Sequence, residues 1–185
     1  MNWNQFTLGF WHPFGPHGGE SREEILARKA AEIAKDGWTL WSFQFRRSLG
    51  TWYEILRGAQ PETAYVLLSD SRSARDPSSE VRLRGRYCLV GTDKWQPLPS
   101  HIRIPHPGRG EFASAFMVKG IILGPALAGV PPLSVQWYFT MTAGWRSDRL
   151  PTRGEYLIRH GEGVAPRSIC GALELRYPYL ATLRD

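Results

Sequence analysis

His12 and His17 bracket the segment His12-Pro13-Phe14-Gly15-Pro16-His17-Gly18-Gly19, with Glu20 close behind. This is the first place along the chain where residue types able to do chemistry gather. The segment lies between a strand-like run and a helix start, where free backbone N–H groups and the helix dipole attract anions. A phosphate is the ligand it would take, and an imidazole the acid or base it would offer. The glycine spacing matches neither the Walker A pattern nor a dinucleotide fingerprint. Gly18 and Gly19 equally suit an ordinary tight turn that needs unusual dihedrals. The intervening prolines and glycines deny His12, His17 and Glu20 a defined metal-ligand spacing, and the same holds for His101 and His106, so we expect no metal. No other catalytic signature is present and no cofactor is implied, which weighs against an enzyme.

Two other groups of residues carry potential chemistry. Eight tryptophans in 185 residues is several times the ordinary usage. Trp11, Trp38, Trp52, Trp95 and Trp145 have polar neighbours in sequence, and aromatic faces can stack on nucleic-acid bases. The second group is basic: Arg82, Arg84 and Arg86 alternate with Val81, Leu83 and Gly85, so a strand there projects three guanidinia from one face. With Arg72, Arg75, Arg103, Arg109 and Lys119 they form the best candidate for a phosphate track, although salt bridges on a solvated strand face would account for the same residues.

The elements that must position these residues follow from their patterns. Phe6–Trp11 reads as a strand. Ser21 and Glu24 form a capping box, and Ile25, Leu26, Ala30 and Ile33 share one face of the helix that follows, which ends at Gly37. Trp38–Phe45 reads as a strand with Trp41, Phe43 and Phe45 on one face and Trp38, Leu40, Ser42 and Gln44 on the other. Thr51–Arg57 is a short helix or turn, Thr63–Leu68 a strand, 70–79 a surface loop, and Val81–Val90 a strand. Gln96–Gly110 is an extended connector around a brief strand at His101–Ile104. Phe112–Leu123 is the most apolar segment and reads as a buried strand, Ala113–Leu123, broken at Gly120, and Val135–Thr142 has the clearest alternation in the chain. Gly154–Arg159 and Ala172–Tyr177 complete the set. Many short strands with one strong early helix predict an α+β fold, a strongly bent mixed sheet or partly open β-barrel with one main N-terminal helix.

Composition sets the outer bounds. The length suits one domain over residues 1–185, and 42% hydrophobic residues supply a core without disulfides or a structural metal. Cys88 and Cys170 read as small buried apolar residues. No apolar run approaches the roughly 20 residues of a membrane span, and the N-terminus lacks signal-peptide features, so a cytoplasmic chain with no membrane partner is expected. The net charge of +6 comes almost wholly from arginine, since Lys29, Lys35, Lys94 and Lys119 are the only lysines among 23 basic residues. Arginine's planar fork suits phosphates and base edges.

The order of strand, helix, aromatic strand, basic strand at Val81–Val90 and apolar strand at Phe116-Met117-Val118-Lys119-Gly120-Ile121-Ile122 resembles the PUA-like superfamily, especially its EVE, YTH and ASCH branches. The resemblance covers about the first 125 to 145 residues and lacks the G-x-K-x-x-E-x-R motif of the ASCH branch. It implies a small bent barrel that binds RNA or modified DNA. Trp11, Trp38 and Trp41 would then lie near an aromatic pocket, with Ser42 and Gln44 reading a base edge and His12 and His17 beside it. The function expected is a nucleic-acid reader, in its sharper form a reader of a modified or flipped base, with Arg82, Arg84, Arg86, Arg103, Arg109 and Lys119 on the backbone. The alternative is an enzyme acting on a nucleotide or other small phosphorylated substrate through the His12–Gly19 loop. A third reading is a protein-interaction module.

Overall fold

In the computed structural model the described residues are 8–43, 49–59, 64–70, 82–83, 85–106, 112–130, 133–138, 144–147, 156–160 and 169–185. The chain enters as β1 (Leu8–Phe14), turns on Gly18 and Gly19, and starts α1 (Arg22–Asp36). The capping box forms as its residues dictate: the Glu24 N–H donates to Ser21 Oγ at 3.2 Å, and the Ser21 N–H donates to Glu24 Oε2 at 2.7 Å. The helix stops at Gly37, whose φ of 73° is left-handed and whose N–H bonds the Ile33 carbonyl. Then come β2 (Thr39–Phe43), α2 (Leu49–Ala59) and β3 (Ala64–Asp70). The short strands β4 (Arg82–Leu83), β5 (Arg86–Leu89), β6 (Trp95–Pro97) and β7 (Pro105–His106) lead to the long β8 (Phe112–Ile122). A 3-10 turn at Gly124–Leu127 precedes β9 (Leu133–Tyr138), β10 (Gly144–Ser147), β11 (Tyr156–His160) and β12 (Ile169–Arg184).

Ten of these strands make one mixed, open sheet in the order β10-β9-β11-β1-β3-β12. Along one edge β12 pairs with β8, which carries β2; along the other it pairs first with β3 and then with β5, which carries β6. The pair β1/β3 is parallel and every other described pair is antiparallel. A parallel pair needs a long crossover, and α1, β2 and α2 supply it. The α+β class and the bent mixed sheet are as the patterning predicts. The second helix, α2, resolves the Thr51–Arg57 segment as helical.

Alternation along each strand sorts the core into two faces. On the helix face Phe10, Trp41, Phe43, Val66, Phe116 and Leu180 pack under Ile25 of α1 and Trp52 and Leu56 of α2. Phe116 is the centre of an aromatic group: its ring lies 4.3 Å from Phe43, 5.1 Å from Phe10 and 6.1 Å from Trp52. The opposite face holds two clusters. Trp11, Tyr65, Leu67 and Ile158 pack against Ala126, Leu127 and Val130 around the 3-10 turn. Leu40, Tyr87, Ala115, Met117 and Leu183 pack under Ile102 and Ile104, so we call this the connector face.

Two local expectations are corrected. Val81–Val90 is not one strand: β4 pairs with β7 in a separate two-stranded sheet, whereas β5 belongs to the main sheet. The change comes at Gly85, whose N–H bonds the Arg184 carbonyl while its carbonyl accepts from Leu98. The brief strand expected at His101–Ile104 falls instead at Pro105–His106, because Ile102 and Ile104 are drawn into the core.

Removing the Phe116 ring leaves a void among three aromatic neighbours. Phe116→Ala should cost roughly 3–5 kcal/mol, read as a shift in the urea midpoint. Phe116→Leu, which refills most of that volume, should cost distinctly less, and equal midpoints for the two variants would mean that the loss follows the ring contacts and not the cavity.

Candidate nucleic-acid interface

The His12–Gly19 segment is mostly strand and turn. His12 lies in β1, largely buried, with its ring edge-on to Trp41 at 6.4 Å. Gly18 and Gly19 have φ of 61° and 80°, and His17 and Glu20 exchange backbone hydrogen bonds of 3.0 and 3.1 Å across them. That is a tight turn with two left-handed residues. It delivers Glu20 to Arg28, which grips both carboxylate oxygens at 2.7 and 2.8 Å. Arg28 and the charge around it hold the Glu20 carboxyl below its ordinary range. The helix N-terminus is met by the protein's own groups, with the capping box on two N–H donors and Glu23 and Glu24 in the first turn.

Past that turn, α1 carries a buried charged cluster that sequence reading missed. Lys29 Nζ donates to Glu32 Oε2 at 2.7 Å, to Thr39 Oγ1 at 3.2 Å and to the Arg103 carbonyl at 3.0 Å. Glu32 Oε1 accepts from Arg28 and from the Arg103 N–H, both at 3.0 Å, while its other oxygen also accepts from the Thr39 hydroxyl. His101 Nε2 meets Asp36 Oδ2 at 2.6 Å one turn further on. These bonds fasten the connector to α1. Burial, the largest influence, pulls the Lys29 ammonium from 10.5 down to about 8 against the attraction of Glu32. Burial also works to raise Glu32, but the Lys29 charge and the bonds from Lys29, Thr39 and the Arg103 N–H outweigh it and hold the carboxyl below its usual range.

The tryptophans named from sequence separate. Trp11, 2% exposed, belongs to the cluster at the 3-10 turn; Trp41, 5% exposed, belongs to the helix face; Trp38 packs at the connector face. They do not wall a common pocket, and strand periodicity gives the reason, since residues 38 and 41 of one strand point to opposite sides. Ser42 is half-buried, paired across β2/β8 with Ala115. Gln44, Arg84 and Arg109 lie outside the described residues.

The basic residues separate as well. Arg82 lies in β4, in the small sheet. Arg86 pairs with Arg184 across β5/β12; Arg184 sits 4.3 Å over the Trp95 ring, and Arg86 Nη2 reaches the Trp95 carbonyl at 3.4 Å. Arg103 spends its backbone on the α1 cluster and leaves its side chain exposed. Lys119 lies roughly 23 Å of strand from Phe112, which pairs with Arg184. Lys119 is the extra residue between the pairs Leu175↔Val118 and Glu174↔Gly120, and its ammonium lies 3.0 Å from Glu174, which points away from the helix-face core that Leu173 and Leu175 enter.

One surface does join aromatic and basic groups. Trp38 lies 5.6 Å from Tyr87, a gap that the bend of the sheet and two long side chains bridge across β8 and β12. The Tyr87 hydroxyl donates to Gln96 Oε1 at 2.9 Å; burial raises its pKa, and the nearby Arg176 cation opposes that. Between the pairs Leu175↔Val118 and Leu180↔Phe116, β12 inserts Arg176, Tyr177, Pro178 and Tyr179 opposite Met117 alone. This bulge contains a cis Tyr177–Pro178 peptide and Tyr179 at φ 72°. Tyr179 turns into the helix-face core, whereas Tyr177 is 77% exposed, with the rings edge-on at 5.6 Å. Arg176 is exposed beside it. A proline within a strand pattern was the signal for this bulge.

Among the described residues no cluster of His, Cys, Asp and Glu could hold a metal ion, and no helix is long and apolar enough to cross a membrane. Comparison of the chain with protein-family models, curated proteins and solved structures finds no match in any of the three.

The buried lysine has a measurable signature. Its folded pKa of about 8 lies below the unfolded value, so between about pH 8 and 10 the unfolded chain binds more protons and this site adds stability as pH rises. Urea midpoints of wild type and Lys29→Met at pH 7.5 and 9.5 should therefore diverge in favour of wild type at the higher pH. A constant difference would show that Lys29 titrates as an ordinary lysine.

Proposed function

We propose that the chain is a nucleic-acid-binding module that binds at the β12 bulge through Arg176 and Tyr177, with Trp38 and Lys119 on the connector side of the sheet. The observation that carries this is the β12 bulge, which holds an aromatic ring 77% exposed beside an exposed arginine. An arginine with an adjacent exposed aromatic is the pair that nucleic acid uses: charge for phosphate, a flat face for a base. Trp38 and Tyr87 lie on the same side of the sheet, and Lys119 adds a second cation, partly offset by Glu174.

Two further facts support the reading. The net charge of +6 favours a polyanion. The PUA-like resemblance, drawn from the order of elements in the sequence, implies a nucleic-acid partner, although the basic stretch Val81–Val90 divides between β4 and β5. The phosphate-using enzyme draws no comparable support, because the turn at Gly18 and Gly19 presents Glu20 to Arg28 and the helix start carries its own carboxylates.

Anisotropy titrations with a labelled oligonucleotide at two salt concentrations test this. Binding should weaken with salt. Arg176→Ala and Lys119→Ala should each weaken it and flatten the salt slope by about 0.7–0.9. Arg57→Ala, which removes the same charge from an arginine 65% exposed on α2, should leave it unchanged. Equal losses in all three variants would reduce the effect to net charge, and retention of no oligonucleotide at low salt would remove the proposal, leaving a protein partner as the occupant of this surface.

A further inference from the structure

We infer that the ligand of this face is a single strand, and that Tyr177 is its stacking platform. The inference rests on the nucleic-acid reading and adds the class of polymer to it. A ring exposed over 77% of its surface can cover a base only if that base offers a free face. Inside a duplex both faces of every base are occupied by neighbours, whereas an unpaired base frees its π-face at much lower cost.

The charge pattern points the same way. A duplex-binding surface works by touching many phosphates at once, typically 6–10 of them. The described cations at and near the bulge are Arg176 and Lys119, with Arg103 exposed on the connector, and Lys119 is already bonded to Glu174 at 3.0 Å. Arg86 does not extend this set, since it lies with Arg184 and Trp95 at the far end of β12. Stacking must then supply a large share of the affinity, which is the single-strand mode.

The helices exclude the common duplex mode. Both α1 and α2 spend their apolar sides on the helix-face core, through Ile25, Trp52 and Leu56. The outward flank of α1 carries Glu23, Glu24, Ala27, Ala30, Ala31, Ala34 and a single lysine, Lys35, so it has no basic row to enter a major groove.

The backbone of the bulge is arranged for presentation. Tyr177 and Tyr179 would share a face in a regular strand, but Tyr179 adopts φ 72° and turns inward. An aromatic residue in that region is an outlier that persists only where its surroundings hold it, and such outliers gather at ligand sites. The pairs Leu175↔Val118 and Leu180↔Phe116 hold it from both sides.

The test measures one labelled sequence as single-stranded DNA, as single-stranded RNA and as duplex DNA against wild type, Tyr177→Ala, Tyr177→Trp and Arg176→Ala. Wild type should bind single strands at least about tenfold more tightly than duplex, as far as stacking at 1–3 kcal/mol per base allows. Tyr177→Ala should lose about fivefold or more on single strands and little on duplex, while Tyr177→Trp keeps the affinity. The side chain is exposed, and a thermal melt confirms that Tyr177→Ala stays folded. Equal affinity for duplex, or full single-strand affinity in Tyr177→Ala alongside a loss in Arg176→Ala, would overturn the stacking platform while leaving the nucleic-acid surface in place. No binding of any polymer by wild type would remove both.

Discussion

The hydrogen-bond ladder between β12 and β8 is the constraint on which the rest of the molecule depends. One strand, Ile169–Arg184, serves as a shared rail: β8 runs along one side of it, and β3 and then β5 occupy the other. Every buried backbone N–H and C=O must find a partner, so the change of neighbour from β3 to β5 fixes where the sheet divides. The helix-face core is then continuous, whereas the opposite face splits into a cluster at the 3-10 turn and another under the connector. Between those clusters the same strand leaves its ladder at Arg176–Tyr179.

The second fixed point is electrostatic. The Lys29, Glu32, Thr39 and Arg103 cluster joins α1 to β2 and to the connector that covers Tyr87, Met117 and Leu183. Taking the charges out of water costs several kcal/mol per ion, and their attraction roughly returns it. The cluster therefore contributes more to where the connector sits than to how stable the fold is. Its members satisfy one another's donors and acceptors, and an apolar substitute would pack without selecting that one placement. The connector's position in turn leaves Trp38 and Tyr87 at the rim of the face where Lys119 emerges.

The elements with local chemical causes were legible in the sequence. Ser21 and Glu24 announce α1, Gly37 ends it, and the apolar run Phe112–Ile122 appears as one long strand with a register shift beside Gly120. Strand periodicity also separated Trp41 and Phe43 from Trp38 and Leu40, as the two faces of β2 bear out. The pocket that joined Trp38 to Trp41 set that same rule aside. The aromatic and basic content was therefore legible, and its arrangement was not, because which strands adjoin is a long-range matter that no local spacing encodes. Lys29, Glu32 and Thr39 read singly as ordinary helix and strand residues, and only their convergence with the Arg103 backbone makes them a cluster. The sequence pattern ends the last strand at Tyr177, before Pro178. In a central strand a proline must either terminate the element or mark a bulge, and here the strand resumes.

That resumption explains how one strand can be both rail and presenter. A regular strand at the centre of a sheet has no means of exposing a large ring, since its neighbours flank every position and its two faces are claimed by the core. Inserting residues 176–179 opposite Met117 frees a short length of backbone while the pairs on either side keep the ladder in register. The left-handed Tyr179 costs about 1–2 kcal/mol relative to an ordinary strand conformation, offset by burying its own ring against the helix-face core. The same turn of the backbone that seats Tyr179 sends Tyr177 outward, so the exposed ring is held by a buried one two residues away. A platform fixed in this way gives up little conformational freedom when a base lands on it, and this is the economy a site with few charges needs.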